Sequence, residues 1–376
     1  MRIGILTHPL ATNYGGLLQA YALQQILIRD GHDVITINCN NRVLYTSFIR
    51  QFLGWLSRLK KRYINKKNIS PCFSPQPTIE QNIILSRNTD LFINNINTTY
   101  CFYDYKELLK IDKEYNFEAY VVGSDQVWLP SFFPWSFLNF VTRDNVKRIA
   151  YAASFGHATW QYDDEQTKKA SQLAKKFDAI SVREDSGVTL CKDYLKVKAL
   201  HVLDPTMLLN PKDYLSVINV KKVSKMIFAY VLDKSVLKQK IVKTIADKLQ
   251  LNVYTCMPEE EFINGVTKDI SKCIFPAVDD WINGINNAEF VVTDSFHGTV
   301  FAILFNKPFV VTGNEHRGMA RFESLLRMFG LEDRLTTSLE KALELVNTPI
   351  DYVKVNQIIE EKRRESLQFL SILNSN

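Results

Sequence analysis

The chain has 376 residues, of which 46% are hydrophobic and 23% charged, and its formal net charge is +6. This length predicts two domains, and the composition excludes disordered, collagen-like and disulfide-scaffold proteins. The first residues lack the pattern of a secretory signal, and no run of 18 apolar residues offers a membrane span. The six cysteines are scattered without a CxxC pair, so we expect reduced thiols in a cytoplasmic protein.

The positive charge is concentrated in one segment. Residues 34–78 contain eight basic residues and no acidic one, whereas the rest of the chain carries 38 basic and 40 acidic residues. A basic segment on a nearly neutral protein indicates a local anionic partner rather than nucleic acid.

Apolar runs with strand and helix periodicity alternate along the chain. A strand at 2–7, a helix ending at Arg29 and a strand at 34–38 form the first βαβ unit. Further strands are predicted at 119–122, 148–152, 179–182, 199–203, 226–231, 252–256, 289–293 and 308–311. Helices are predicted at 165–176, 185–193, 235–249, 279–287, 297–305 and 351–373. This order predicts parallel sheets with helices on both faces.

We therefore expect an α/β fold of two Rossmann-like domains that face each other across a cleft. The predicted boundaries are 1–215 for the first domain, with a basic insertion at about 42–70, and 222–345 for the second. A C-terminal helix occupies 351–376. Ligands of such sheets bind beyond the carboxyl ends of the strands, so the strand-to-helix loops are the candidate functional positions.

Two of these loops lie in the first third of the chain. Asn13, Tyr14 and Gly15 precede the first helix, where glycine permits close approach and free N–H groups attract an anion; the alternative is a plain tight turn. Ser124 and Asp125 end a strand, and Asp125 could orient a sugar hydroxyl or act as a base. Trp128, with the aromatic residues that follow it, forms either a wall for a sugar ring or part of the core.

Cationic candidates follow two later strands. Arg183 has a guanidinium suited to a carboxylate or phosphate, and the alternative is a salt bridge to Glu184 or a neighbouring carboxylate. His297 lies at the start of a predicted helix, after Asp294 and Ser295 and before Gly298. This position places a titratable side chain at a helix N-terminus, where anions bind. Arg317 and Arg321 share one helix face, which is either a phosphate clamp or a solvated surface.

Other chemistries have little support in the sequence. HExxH, HxH and DxD patterns are absent, as is the GxSxG elbow of serine hydrolases, so we expect no metal site. Within residues 48–67, apolar and basic side chains alternate with helical spacing. The segment is therefore either an amphipathic helix on an anionic membrane or a helix packed on the sheet.

Taken together, the order and spacing of six motifs resemble the polysaccharide pyruvyl transferases of bacterial surface-glycan pathways. The motifs are Asn13-Tyr-Gly15, Val122-Gly-Ser-Asp-Gln-Val-Trp128, Ala153-Ser-Phe-Gly156, Ser181-Val-Arg-Glu184, Asp204-Pro-Thr206 and Thr293-Asp-Ser-Phe-His-Gly298. The resemblance implies a fold like that of GT-B glycosyltransferases, with phosphoenolpyruvate as donor, no cofactor and a sugar diol as acceptor. The products are a cyclic pyruvate ketal and phosphate, and a lipid-linked acceptor would explain the basic segment.

The resemblance also suggests roles for the candidate residues. Donor binding is expected in the second domain and acceptor binding in the first. Some family members carry Arg two residues before the motif His, where this chain has Ser295, so we expect donor binding by other residues. The donor candidates are Arg183, Ser295, His297, Gly298, Arg317 and Arg321; the acceptor candidates are Asn13, Tyr14, Gly15, Ser124, Asp125 and Trp128; the catalytic candidates are His297, Asp125 and Asp294. The alternatives are a nucleotide-sugar glycosyltransferase and a non-catalytic glycan-binding relative.

Overall fold

A computed structural model describes residues 1–40, 48–64, 77–222, 224–233, 235–262, 267, 269–313 and 318–374. Two parallel sheets dominate these ranges, one of six strands and one of four. The expected α/β architecture of two Rossmann-like domains is confirmed.

The first sheet has the strand order β2-β1-β3-β4-β5-β6, and every pairing in it is parallel. Its strands are β1 (Arg2–Leu6), β2 (Asp33–Thr36), β3 (Ala119–Asp125), β4 (Lys147–Ala153), β5 (Ala179–Val182) and β6 (Leu200–His201). The helices of this part are α1 (Tyr14–Arg29), α2 (Phe48–Leu59), α3 (Ile79–Ser86), α4 (Asp90–Ile93), α5 (Leu108–Tyr115), α6 (Asp164–Ala174), α7 (Asp185–Leu190) and α8 (Pro211–Leu215).

Register in this sheet determines which residues meet at its carboxyl edge. Asp125 of β3 pairs with Ala153 of β4, which in turn pairs with Val182 of β5. Every residue of β3 is buried, as expected for a central strand covered on both faces. Because these three strands end at the same level of the sheet, Arg183, the residue after Val182, lies beside Asp125.

The second sheet has the order β10-β9-β7-β8, again all parallel. Its strands are β7 (Met226–Tyr230), β8 (Asn252–Tyr254), β9 (Ala288–Thr293) and β10 (Phe309–Val311). The helices that follow the first domain are α9 (Val236–Leu249), α10 (Val278–Asn287), α11 (Phe296–Leu304), α12 (Ala320–Phe329), α13 (Leu339–Val346) and α14 (Tyr352–Leu370). Strands β1 to β6 lie within 1–215, and β7 to β10 lie within 222–345.

An apolar core runs continuously from the first sheet into the second domain. Tyr14 of α1 stacks on Trp281 of α10 with ring centroids 5.9 Å apart, and Tyr214 of α8 lies 4.9 Å from Phe301 of α11. Burial of such aromatic pairs stabilises the contact between the domains by the hydrophobic effect.

Helix α14 returns to the first domain and fixes its last strand. The Arg363 guanidinium donates to the carbonyl oxygens of Met207 and Leu209, and the Leu203 N–H donates to Ser366 Oγ at 3.0 Å. Since the Leu203 N–H bonds to this side chain, β6 is shorter than the predicted 199–203. The predicted helix at 185–193 is likewise divided into α7 and one π-helical turn, Cys191–Leu195.

Helix α2 and the turn after it, Lys60–Ile64, expose apolar side chains. Phe52 is 42% exposed, Leu53 58% and Leu56 43%. The remainder of the basic insertion, residues 41–47 and 65–76, lies outside the described residues. No helix in the described part of the chain combines the length and apolarity needed to cross a bilayer.

Candidate functional site

Loops at the carboxyl ends of both sheets enclose a cavity of about 570 Å³. On the first domain its wall includes His8, Asn13 and Asp125, which follow or end β1 and β3. The second domain contributes Tyr230 and Leu232 at the end of β7, with further residues from the chain after β8. A cleft at this edge of two parallel sheets is where ligands of doubly wound folds bind.

Arg183 is the centre of the buried polar cluster behind this wall. Its Nη1 lies 2.9 Å from Asp204 Oδ2, its Nη2 3.3 Å from Asp125 Oδ1, and its Nε 3.3 Å from Glu184 Oε1. The guanidinium also lies 4.1 Å from the ring centroid of Phe296. The salt bridge considered from the sequence is therefore present, with two more carboxylates beside it. Burial lowers the pKa of Arg183, but the three carboxylates outweigh burial and raise it, so the side chain remains charged.

Asp204 joins the two domains through a single oxygen. Oδ2 accepts from Arg183 and from Ser124 Oγ at 3.0 Å, and His297 Nε2 of the second domain lies 3.7 Å away. The other oxygen, Oδ1, accepts from Thr206 Oγ1 at 2.6 Å. Burial raises the pKa of Asp204, but the contacts with His297 and Arg183 have the larger combined effect and hold it well below its usual range. Asp204 is thus an ionised group positioned to stabilise a positively charged His297.

Asp125 is a second buried carboxylate that faces a histidine, and it lies in the wall of the cavity. Its backbone is left-handed, with φ of 67°, a conformation that is uncommon outside glycine and that aspartate adopts more readily than most residues. Oδ2 lies 3.6 Å from His8 Nδ1 and 3.5 Å from Asn13 Nδ2. Burial raises the pKa of Asp125, but the charges of His8, Arg183, His297 and Arg321 lower it well below its usual range.

His297 occupies the first turn of α11, against the first domain. Ser295 is the N-cap of this helix, and its Oγ accepts from the Gly298 N–H at 3.4 Å. A Cβ placed on Gly15 would lie 2.0 Å from His297 Nδ1, so the ring rests directly on the backbone of α1. His297 is 6% exposed and stands behind the cavity wall.

Arg321 extends the cluster from α12. It is 7% exposed, and its charge contributes to the low pKa of Asp125. Nearby, Gly318 has φ of 85°, and a Cβ there would lie 2.2 Å from the carbonyl oxygen of Gly156. The second domain therefore approaches the first at this point without room for a side chain. Arg317 lies outside the described residues.

Three other candidates occupy positions with structural contacts of their own. The Asp294 carboxylate accepts from the backbone N–H groups of Leu232 and Asp233 and from Lys238 Nζ at 2.8 Å. Tyr14 is buried and donates to the Pro276 carbonyl at 2.8 Å. Trp128 is fully buried and stacks on Phe137 at 5.0 Å, so it belongs to the core and not to the cavity wall.

The sequence interpretation missed His8. Its ring follows β1, stacks on Phe132 with centroids 4.5 Å apart and faces Asp125. His8 could have been identified from its position directly after a predicted strand, because Arg183 was selected as a candidate for the same reason. Asp204, named from the sequence only as part of a motif, caps the turn Pro205–Met207 and also contacts His297 of the second domain.

The fold is found in solved enzymes of low sequence identity. UDP-GlcNAc 2-epimerase from Neisseria meningitidis, bound to UDP-GlcNAc, superposes with a TM-score of 0.54 and 10% identity over 98% of this chain and 99% of that chain. MnaA from S. aureus, in complex with UDP, superposes with a TM-score of 0.53 and 12% identity over 99% of this chain and 95% of that chain. These likenesses establish a GT-B-like fold and no more.

Sequence comparison gives a more specific result. No curated protein matches the chain. The sequence model of one family, described as polysaccharide pyruvyl transferase, matches residues 13–316, which include the start of α1, the buried Arg183 cluster and the His297 motif. A match over this much of the chain, with these motifs on both sides of the cleft, places the protein in the polysaccharide pyruvyl transferase family.

Proposed function

We propose that this transferase moves the enolpyruvyl group of phosphoenolpyruvate onto a sugar diol of a surface-polysaccharide precursor. The product is a cyclic pyruvate ketal, and phosphate is released. The observation that carries the proposal is the meeting of Arg183 and His297 at one oxygen of Asp204, beside a cavity between the two sheets. Membership of the family supports the same reaction class.

The donor carries a carboxylate and a phosphate, which need separate cationic or N–H partners. Arg183 already contacts three carboxylates, so its role in the proposal is to hold Asp125 and Asp204 in place. Arg321 and His297 then meet the donor anion, near the N-terminus of α11. Because His297 stands behind the cavity wall and rests on Gly15, the proposal requires the domains to move apart at this contact for the donor to reach His297.

The acceptor sugar is proposed to occupy the cavity. Asn13 and Asp125 line it and offer an amide and an ionised carboxylate for sugar hydroxyl groups. Ser124 is fully buried and donates to Asp204 and to the Ala152 carbonyl, so it supports the site from behind.

We also propose that the acceptor is lipid-linked and that α2 contacts the anionic membrane surface that carries it. Phe52, Leu53 and Leu56 are exposed, whereas the apolar face of a helix that packs on the sheet would be buried. The basic residues Arg58, Lys60, Lys61 and Arg62 lie in the same segment. An apolar face flanked by basic groups is the pattern of a helix that lies in an anionic membrane interface.

The test is incubation of the purified protein with phosphoenolpyruvate and a panel of glycosyl lipids. We expect phosphate release that depends on the acceptor, and a product whose mass gain matches one pyruvate ketal. His297→Ala should abolish this release. His32→Ala is the matched control, because His32 precedes β2 at the opposite edge of the sheet. Thermal stabilisation of the wild-type protein by a nucleotide sugar, but not by phosphoenolpyruvate, would favour a glycosyltransferase. Stabilisation by neither compound would favour a non-catalytic glycan-binding protein.

A further inference from the structure

We infer that His8 is a catalytic residue, the base that takes the proton from the attacking sugar hydroxyl, with Asp125 as the residue that orients it. This assignment rests on the proposed function. Of the two histidines in the cluster, His8 is the one that forms part of the cavity wall, next to the place proposed for the acceptor.

The geometry of His8 supports this role. The ring is held from one side by stacking on Phe132, with an interplanar angle of 29°. From another side Asp125 Oδ2 lies 3.6 Å from Nδ1. A carboxylate at Nδ1 favours the tautomer that carries its proton there, and Nε2 is then the nitrogen that accepts a proton.

Asp125 is poorly suited to be the base itself. The charges of His8, Arg183, His297 and Arg321 lower its pKa despite burial, so it has little affinity for a proton. Bonds from the Gln126 N–H and from Arg183 Nη2 to Oδ1 hold the carboxylate in place instead. A fixed, ionised carboxylate can stabilise the imidazolium that forms when His8 accepts a proton.

The cluster then contains two matched pairs, His8 with Asp125 and His297 with Asp204, and Arg183 bonds to both aspartates. Addition of the first sugar hydroxyl and displacement of phosphate by the second each need one group that accepts a proton and one that donates a proton. Two histidines with separate aspartate partners satisfy this requirement.

The proton balance of the two steps is as follows. In the first, the sugar oxygen bonds to C2 of the donor, its proton passes to His8, and the electrons of the carbon–carbon double bond take a proton from His297 at C3. In the second, the neighbouring sugar oxygen bonds to C2, and the bond from C2 to the phosphate oxygen breaks. The second hydroxyl proton restores His297, and His8 gives its proton to the departing phosphate.

The discriminating variant is His8→Asn, because its amide nitrogen can replace Nδ1 beside Asp125 while no titratable nitrogen remains. We expect unchanged affinity for phosphoenolpyruvate, measured by calorimetry, and a kcat lowered by about 10²- to 10⁴-fold. His8→Ala is the second variant. Added imidazole should restore part of its activity, since His8 borders an open cavity, and a merely structural role would show no such rescue.

The outcomes separate this inference from the proposed function. An active wild-type enzyme with an unchanged kcat in His8→Asn would overturn the assignment of His8 alone, as would a folded, impaired His8→Ala that imidazole does not restore. A wild-type protein that releases no phosphate from phosphoenolpyruvate with any acceptor would overturn the proposed function, and the role of His8 with it.

Discussion

The imidazole of His297 rests on the backbone of Gly15, and the two residues belong to different domains. The first turns of α1 and α11 therefore meet at the cluster, where Asn13 and Ser295 occupy the N-cap positions of the two helices. The Asn13 amide makes no capping bond and donates to Asp125 instead. A glycine at position 15 is what allows this approach, because any side chain there would occupy the space of the ring.

Gly15→Ala should therefore displace His297 from Asp204. Its Cβ would lie 2.0 Å from Nδ1, and overpacking of this kind costs about 1–3 kcal/mol. We expect a large loss of kcat with a smaller fall in the melting temperature. Gly4→Ala is the matched control, since its Cβ would crowd the Phe117 ring at 2.9 Å, and Phe117 precedes β3 at the edge of the sheet away from the cluster. Equal activity losses in the two variants would contradict the importance of the Gly15 contact.

Asp294→Asn should affect stability more than chemistry. The buried carboxylate is bonded to Lys238, whose side chain is only 9% exposed, and removal of one partner of a buried ion pair costs about 3–5 kcal/mol. Urea unfolding should show this loss, while the kcat of the folded variant at low temperature stays within a few-fold of wild type. A strong fall in kcat without a change in unfolding free energy would instead support the catalytic role expected from the sequence.

The elements of this fold could be predicted because their signals are local. Runs rich in β-branched residues predicted the strands β5 and β9, and an amphipathic periodicity predicted the helix α9. The predicted boundaries lie within a few residues of those in the structure. Of the partners of Arg183, the adjacent Glu184 could be predicted, but Asp125 and Asp204 could not, because they lie 58 and 21 residues away and the fold of the sheet brings them together. Trp128 illustrates the same limit: its position after a strand suggested a cavity wall, but neighbouring aromatic rings cover it completely.

The cluster should make stability depend on pH in the acid range. Asp125 and Asp204 have folded pKa values below their usual 3.8, whereas the unfolded chain regains that value. The folded state then binds fewer protons, so the stabilisation is present above about pH 4 and is lost as the pH falls from there. Urea unfolding between pH 5 and pH 2 should show this decline.

Asp204→Asn tests the origin of that decline. The variant lacks one of the two titrating groups, so its unfolding free energy should fall less steeply with pH, by up to about 1.4 kcal/mol per pH unit. If this variant does not fold at pH 7, Asp125→Asn gives the same comparison. An unchanged slope in both would show that other carboxylates cause the acid sensitivity.

Tyr14→Phe should weaken the contact between the domains and leave acceptor binding unchanged. Burial raises the pKa of Tyr14, so its hydroxyl remains a donor to the Pro276 carbonyl. Loss of that donor leaves a carbonyl without its partner, at a cost of about 1–3 kcal/mol, which thermal unfolding can measure. Tyr194→Phe, at an exposed ring stacked on Trp160, is the control. A raised KM for the acceptor with unchanged stability would support the acceptor role expected from the sequence.

Neutralising the basic residues beside α2 should weaken membrane binding. Each Lys or Arg near an anionic surface contributes about 1 kcal/mol, so changing Arg58, Lys60, Lys61 and Arg62 to Gln should reduce binding to phosphatidylglycerol-containing vesicles by up to roughly a thousandfold. The matched control changes Lys168, Lys169, Lys175 and Lys176, exposed at α6, to Gln. Both variants lose four positive charges, so a difference between them in vesicle co-sedimentation reports position and not net charge. Equal binding by the two, or equal loss, would exclude α2 as the membrane-facing element.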